Sequence, residues 1–163
     1  MKHYQFLYIG EKDNSYIFET RKKVFYEIRF KNSDYIFENL SDTNNGLFYE
    51  FVIDILENPH KPFIPADELI GPTIALIFND FYANDHNLVT VYVCDSSDRK
   101  QDLRMKKFNQ WFYKYQDTSF LKVDEIVTDN KNNRYPISLI LKATNPNRHK
   151  IIDTFLSIKH LTK

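Results

Sequence analysis

Leu88–Tyr115, LVTVYVCDSSDRKQDLRMKKFNQWFYKY, decides the fold. Leu88–Cys94 is a run of seven mostly apolar residues. Such a run reads as a strand buried on both faces, which places it centrally in a sheet. Asp95, Ser96, Ser97 and Asp98 follow, each a good helix N-cap residue, and Asp98-x-x-Gln101 has the spacing of a capping box. The helix predicted from this turn to Tyr115 sets Arg104, Phe108, Trp111, Phe112 and Tyr115 along one stripe, with Arg99, Lys100, Lys106, Lys107 and Lys114 elsewhere.

Working outward, period-2 alternation is cleanest over Val24–Phe30. Tyr4–Gly10 and Tyr16–Thr20 read as two preceding strands, so the N-terminal part is an antiparallel meander. Lys31–Gly46 is a longer link, with one helical turn near Tyr35–Phe37 and a turn at Asn45-Gly46. Leu47–Glu57 is a long apolar strand. Three prolines, Pro59, Pro62 and Pro65, hold the next loop extended. Gly71-Pro72 opens a helix whose core stripe is Ile74, Ile77, Phe78 and Phe81. After the central strand and basic helix, Phe120–Thr128 and Tyr135–Thr144 form a hairpin through DNKNNR. Asn145-Pro146 ends it and opens a last helix with the stripe Ile151, Ile152, Phe155, Leu156 and Lys159.

The predicted order is β-β-β-β-α-β-α-β-β-α. We expect one α+β domain over residues 1–163, with a mostly antiparallel sheet and helices packed on it. The β-α-β stretches 47–94 and 88–128 permit parallel neighbours.

Composition narrows the function classes. Only Gly10, Gly46 and Gly71 occur among 163 residues, which argues against folds built on glycine-rich phosphate loops. The single cysteine, Cys94, excludes an internal disulfide and a four-cysteine zinc site. His3, His60, His86, His149 and His160 show no ligand spacing, so no metal is expected. The N-terminus lacks a signal-peptide pattern, and Ile74–Phe78 is far shorter than the roughly 20 apolar residues of a membrane span. The expectation is a cytoplasmic protein.

A net charge of zero hides a division along the chain. Residues 1–31 carry net +3, residues 32–98 net −11 and residues 99–163 net +8. Either the acidic middle and basic end neutralise each other in the fold, or they form separate faces, one suited to an anionic partner.

The opening stretch carries two resemblances. Val91–Gln101 (VYVCDSSDRKQ), Phe108-x-x-Trp111-Phe112 and the spacing to Tyr135 and Asn145-Pro146 resemble an uncharacterised family of small bacterial proteins. That resemblance implies a shared fold. The element order from the third strand onward resembles the Gcn5-related N-acetyltransferase fold. That likeness implies an acyl-CoA cofactor at Asp67–Ala75 (DELIGPTIA), with Gly71 and Thr73 facing it and Tyr113 or Tyr115 as acid. Yet Pro72 removes an amide that would hold phosphate, and Asp67 and Glu68 repel it.

The favoured reading is therefore a non-catalytic binding or interaction protein. Its site is expected at Asp95, Ser96, Ser97, Asp98 and Arg99, or on the basic helix, where a protein partner would dock. Acyl transfer is the alternative. Nucleic-acid binding through the basic helix is a weaker third, since a pI near 7.0 does not suit a dedicated binder.

Overall fold

Alternating side chains organise the sheet before any helix is placed. The computed structural model describes residues 1–33, 47–94 and 97–158. The helical turn expected at Tyr35–Phe37, the Asn45-Gly46 turn and Lys159 lie outside the described residues. Among these residues seven strands form one sheet: β1 (Phe6–Gly10), β2 (Ser15–Glu19), β3 (Phe25–Asn32), β4 (Phe48–Glu57), β5 (Val89–Val93), β6 (Phe120–Thr128) and β7 (Arg134–Lys142). Their spatial order is β1-β2-β3-β4-β5-β7-β6. The helices are α1 (Ile70–Tyr82), α2 (Gln101–Tyr115) and α3 (Arg148–Ser157). The element order is the one the sequence predicts, and the α+β class holds.

β1, β2 and β3 make the expected meander, and β3 pairs antiparallel with β4. β4 and β5 run parallel, the one parallel pair among the described residues. β5 and β6 are not neighbours, because β7 lies between them and pairs antiparallel with both. The polar turn DNKNNR folds the β6–β7 hairpin, so the chain closes back on β5.

Two cores follow from the pleat, since successive residues face opposite sides. One face carries Tyr16, Tyr26, Ile28, Phe30, Phe51 and Tyr92, covered by Ile74, Ile77 and Phe78 of α1 and by Met105, Phe108 and Phe112 of α2. The other carries Phe48, Val89, Val91, Leu139 and Leu141, covered by Ile151 and Phe155 of α3. β5 is buried on both faces, as its apolar run implies. In α3 the expected stripe narrows: Ile151 and Phe155 are buried, whereas Leu156 is exposed.

Tyr82 closes the first core. Its ring is fully buried, and its hydroxyl donates to the Ile140 carbonyl at 2.9 Å and lies 3.0 Å from Thr90 Oγ1. A buried phenol needs such partners.

β4 and β5 stay together only briefly. Phe48–Phe51 pair with Val89–Tyr92, and the rest of β4 pairs with β3 alone. A cavity of about 300 Å³ opens in the divergence, lined by Ile53, Asp54, Tyr92, Val93 and Arg104 among others.

α1 and α2 approach closely at Gly71. A Cβ built there would lie 2.6 Å from Trp111 Cδ1 and 2.8 Å from Tyr115 Cε2. Glycine is required by packing, and the Trp111 and Tyr115 end of the α2 stripe seats on it. Gly71→Ala is expected to destabilise the fold by about 1–3 kcal/mol through overpacking. Urea unfolding of the variant against the parent checks this, and an unchanged midpoint would contradict the contact.

Candidate functional site

The turn before α2 differs from its expected form. Asp95 and Ser96 lie outside the described residues. α2 begins at Gln101 with Lys100 as its cap, and no side chain caps it. The Asp98–Gln101 capping box is thus not formed. The Asp98 carboxylate instead accepts the Lys100 amide at 3.1 Å and both Arg104 guanidinium nitrogens at 2.7 and 2.6 Å. A bidentate pair is geometrically more favourable than a single amide bond and draws the carboxylate toward the second turn of the helix. Arg104 leads this pairing and holds the Asp98 pKa down to about 2. Arg99 takes φ +58° in the sharp bend that results, and the residue is exposed.

The β6–β7 hairpin faces this turn. Asp129 organises its tip, accepting the amides of Lys131 and Asn133 at 2.8 and 2.9 Å, Asn133 Nδ2 at 2.9 Å and the Tyr135 hydroxyl at 3.0 Å. These bonds, Asn133 first, hold the Asp129 pKa down to about 2. Ser97, Arg99 and Gln101 from the turn and Asn132, Asn133, Arg134 and Tyr135 from the hairpin together line a polar pocket of about 470 Å³. Of the five expected site residues, Ser97 and Arg99 line a concave surface, and Asp98 is the clamp beside it.

A larger groove of about 830 Å³ runs between α2 and the hairpin strands. Met105, Tyr113, Ile126 and Pro136 give it an apolar wall, with Asp102, Lys106, Asn109 and Asp124 among its polar groups. Tyr113 is 68% exposed and Ile126 43%. Beside it is an unusual ammonium: the Lys122 side chain is only 1% exposed, pairs with Asp124, and lies 5.7–6.0 Å from the ring centroids of Phe108, Phe112 and Tyr113. Burial lowers its pKa, and Asp124 works against that shift. Asp124 also accepts the Ser138 hydroxyl at 2.6 Å. Asn109 Oδ1 is buried without a hydrogen-bond partner among the described residues.

Sequence reasoning missed this groove. Ile126, an apolar residue on the same face of β6 as Lys122 and Asp124, and Tyr113, off the α2 core stripe, were its available signals.

Most of the other residues named from the sequence are packed groups. Cys94 is fully buried, and burial pushes its thiol pKa up to about 11. Thr73 is buried, with its hydroxyl donating to Leu69 O at 2.6 Å and accepting the Tyr4 amide at 2.9 Å. Gly71 lies beneath Trp111, where the remaining space is about 10 Å³, at the lower limit for one water. Tyr115 packs on Gly71, and Tyr113 lines the groove. Among the described residues no three His, Cys, Asp or Glu side chains cluster to hold a metal. No helix there is long and apolar enough to cross a membrane.

The Asp98 clamp has a pH signature. A carboxylate whose folded pKa lies near 2, against an ordinary value of 3.8, adds stability above about pH 4. That contribution disappears as pH falls from there through about 2. Asp98→Asn is therefore expected to lower the urea midpoint at pH 7, with the gap to the parent closing toward pH 2. A gap independent of pH would show that the carboxylate charge is not what holds Arg104.

Comparison with known proteins bears on most of this architecture. No curated protein and no solved structure matches the chain. A family described as of unknown function, DUF6169, matches residues 66–157. That span contains α1, β5, α2, the β6–β7 hairpin and α3, together with the VYVCDSSDRKQ, Trp111-Phe112, Tyr135 and Asn145-Pro146 features. It includes both walls of the groove and the polar pocket. By this match over more than half of its length, the chain belongs to the DUF6169 family of unknown function.

Proposed function

We propose that this is a non-catalytic binding protein whose protein partner seats an apolar side chain in the groove between α2 and the β6–β7 hairpin. The observation that carries this reading is the groove itself. It combines about 830 Å³ of open space with an apolar wall that includes the exposed Tyr113 and Ile126. Concave sites of this kind, apolar with a few placed polar groups, are where ligands and partner anchors are held. The Asn109 acceptor and the Asp102 and Asp124 carboxylates supply the polar groups.

A second reading, acyl transfer from acyl-CoA, has one specific observation in its favour. β4 and β5 run parallel and diverge beyond Phe51 and Tyr92, with a cavity of about 300 Å³ between them that could hold an acyl chain. Against it stand the residues that would hold the cofactor. Gly71 is closed off by Trp111 and Tyr115, Thr73 is buried and fully bonded, and Pro72 lacks an amide.

Ile126→Arg places a charge in the groove at an exposed position and leaves the core untouched. With the variant's thermal stability matched to the parent, capture from native-host extract is expected to lose the partners that the parent retains. Capture of the same proteins by both, or of none by the parent, would overturn the groove reading. Thermal shift with millimolar CoA and acetyl-CoA separates the two functions. The binding reading expects no stabilisation, whereas a cofactor at 100 times its Kd would add about 2.7 kcal/mol.

A further inference from the structure

The polar pocket beside α2 has a charge imbalance that the groove does not explain. Arg99 and Arg134 both line it, and both are exposed. Among the described residues neither guanidinium has an ion pair or a side-chain hydrogen bond. The Arg134 backbone carbonyl accepts a bond from Gln101 Nε2 at 3.4 Å, but its side chain is not involved. Two like charges on one small concavity repel each other unless a counter-charge lies between them.

The two described carboxylates of the turn and the hairpin tip are already committed. Asp98 is occupied by Arg104 and the Lys100 amide. Asp129 is occupied by two backbone amides, the Asn133 side chain and the Tyr135 hydroxyl. Their low pKa values express the same saturation. The Asp98 charge is thus neutralised by Arg104. The rest of the lining includes the amide side chains of Asn132 and Asn133, which can donate further hydrogen bonds.

We propose that the pocket between the 97–101 turn and the β6–β7 hairpin binds a phosphate dianion between Arg99 and Arg134. Two guanidinium groups match a doubly charged oxyanion better than a single carboxylate does, and each offers a fork of donors suited to it. The site is separate from the apolar groove and does not depend on the groove's occupant.

The test is a titration of the full chain with inorganic phosphate, followed through arginine Nε–Hε NMR signals at constant ionic strength. Sodium chloride serves as the matched control. The Arg99 and Arg134 signals are expected to move saturably with phosphate and not with chloride. Arg99→Gln and Arg134→Gln, both at exposed positions, are each expected to weaken binding about tenfold or more, the loss of a charged hydrogen bond. Absence of a saturable shift, an equal response to chloride, or unchanged affinity in both variants would overturn the proposal. A parallel titration with O-phosphoserine distinguishes the source. Tighter binding than inorganic phosphate assigns the group to a phosphorylated molecule, and weaker binding assigns it to the free anion.

Discussion

Phe51 sits where the sheet changes character. It is the last β4 residue to pair with β5, and its ring meets Phe30 at 5.5 Å, Phe78 at 4.6 Å and Phe108 at 5.7 Å. Tyr92, its partner on β5, meets Phe108 at 4.4 Å. This cluster joins β3, β4, β5, α1 and α2 at one point. Aromatic pairs at tilted or edge geometry add about 0.5–1.5 kcal/mol each beyond the area they bury. Parallel pairing of β4 and β5 is short, so their junction relies on side chains above it more than on a long hydrogen-bonded ladder.

The same constraint places the candidate sites. Phe108 fixes α2 over the sheet, which turns Met105 toward Ser138 and leaves Tyr113 free to line the groove. Trp111 and Tyr115, farther along the helix, close over Gly71 and fill the position where a cofactor would approach α1. At the other end, the Arg104–Asp98 pair anchors the entering turn, which leaves Arg99 facing the hairpin. One helix thus seals one prospective site and walls two others.

Much of the fold was legible in the sequence because period and punctuation agree. The apolar run Leu88–Cys94 announced a central strand, and the Phe108 and Phe112 spacing announced a core helix. The strand order was not legible: β7 enters between β5 and β6 through a long-range pairing that no local pattern records. The site was legible only in part. Asp98 has the composition of a cap, yet the bidentate partner offered by Arg104 outcompetes the helix end. Gly71 suggested a phosphate turn, whereas its smallness serves the close approach of Trp111. The groove joins α2 to β6, two elements whose facing residues only the fold brings together. The charge division is similarly mixed: Arg104–Asp98 and Arg29–Asp54 tie the acidic middle to both basic parts, while Lys106, Lys107 and Lys114 remain on the exposed face of α2.

That α2 is a core element, locked to the sheet through the ring of Phe108, is the claim from which these assignments follow. A double-mutant cycle on Phe51→Leu and Phe108→Leu, read by urea unfolding, tests it most directly. The account predicts a coupling free energy of about 0.5–1.5 kcal/mol between the two positions. Additivity of the two single losses to within about 0.3 kcal/mol would contradict it.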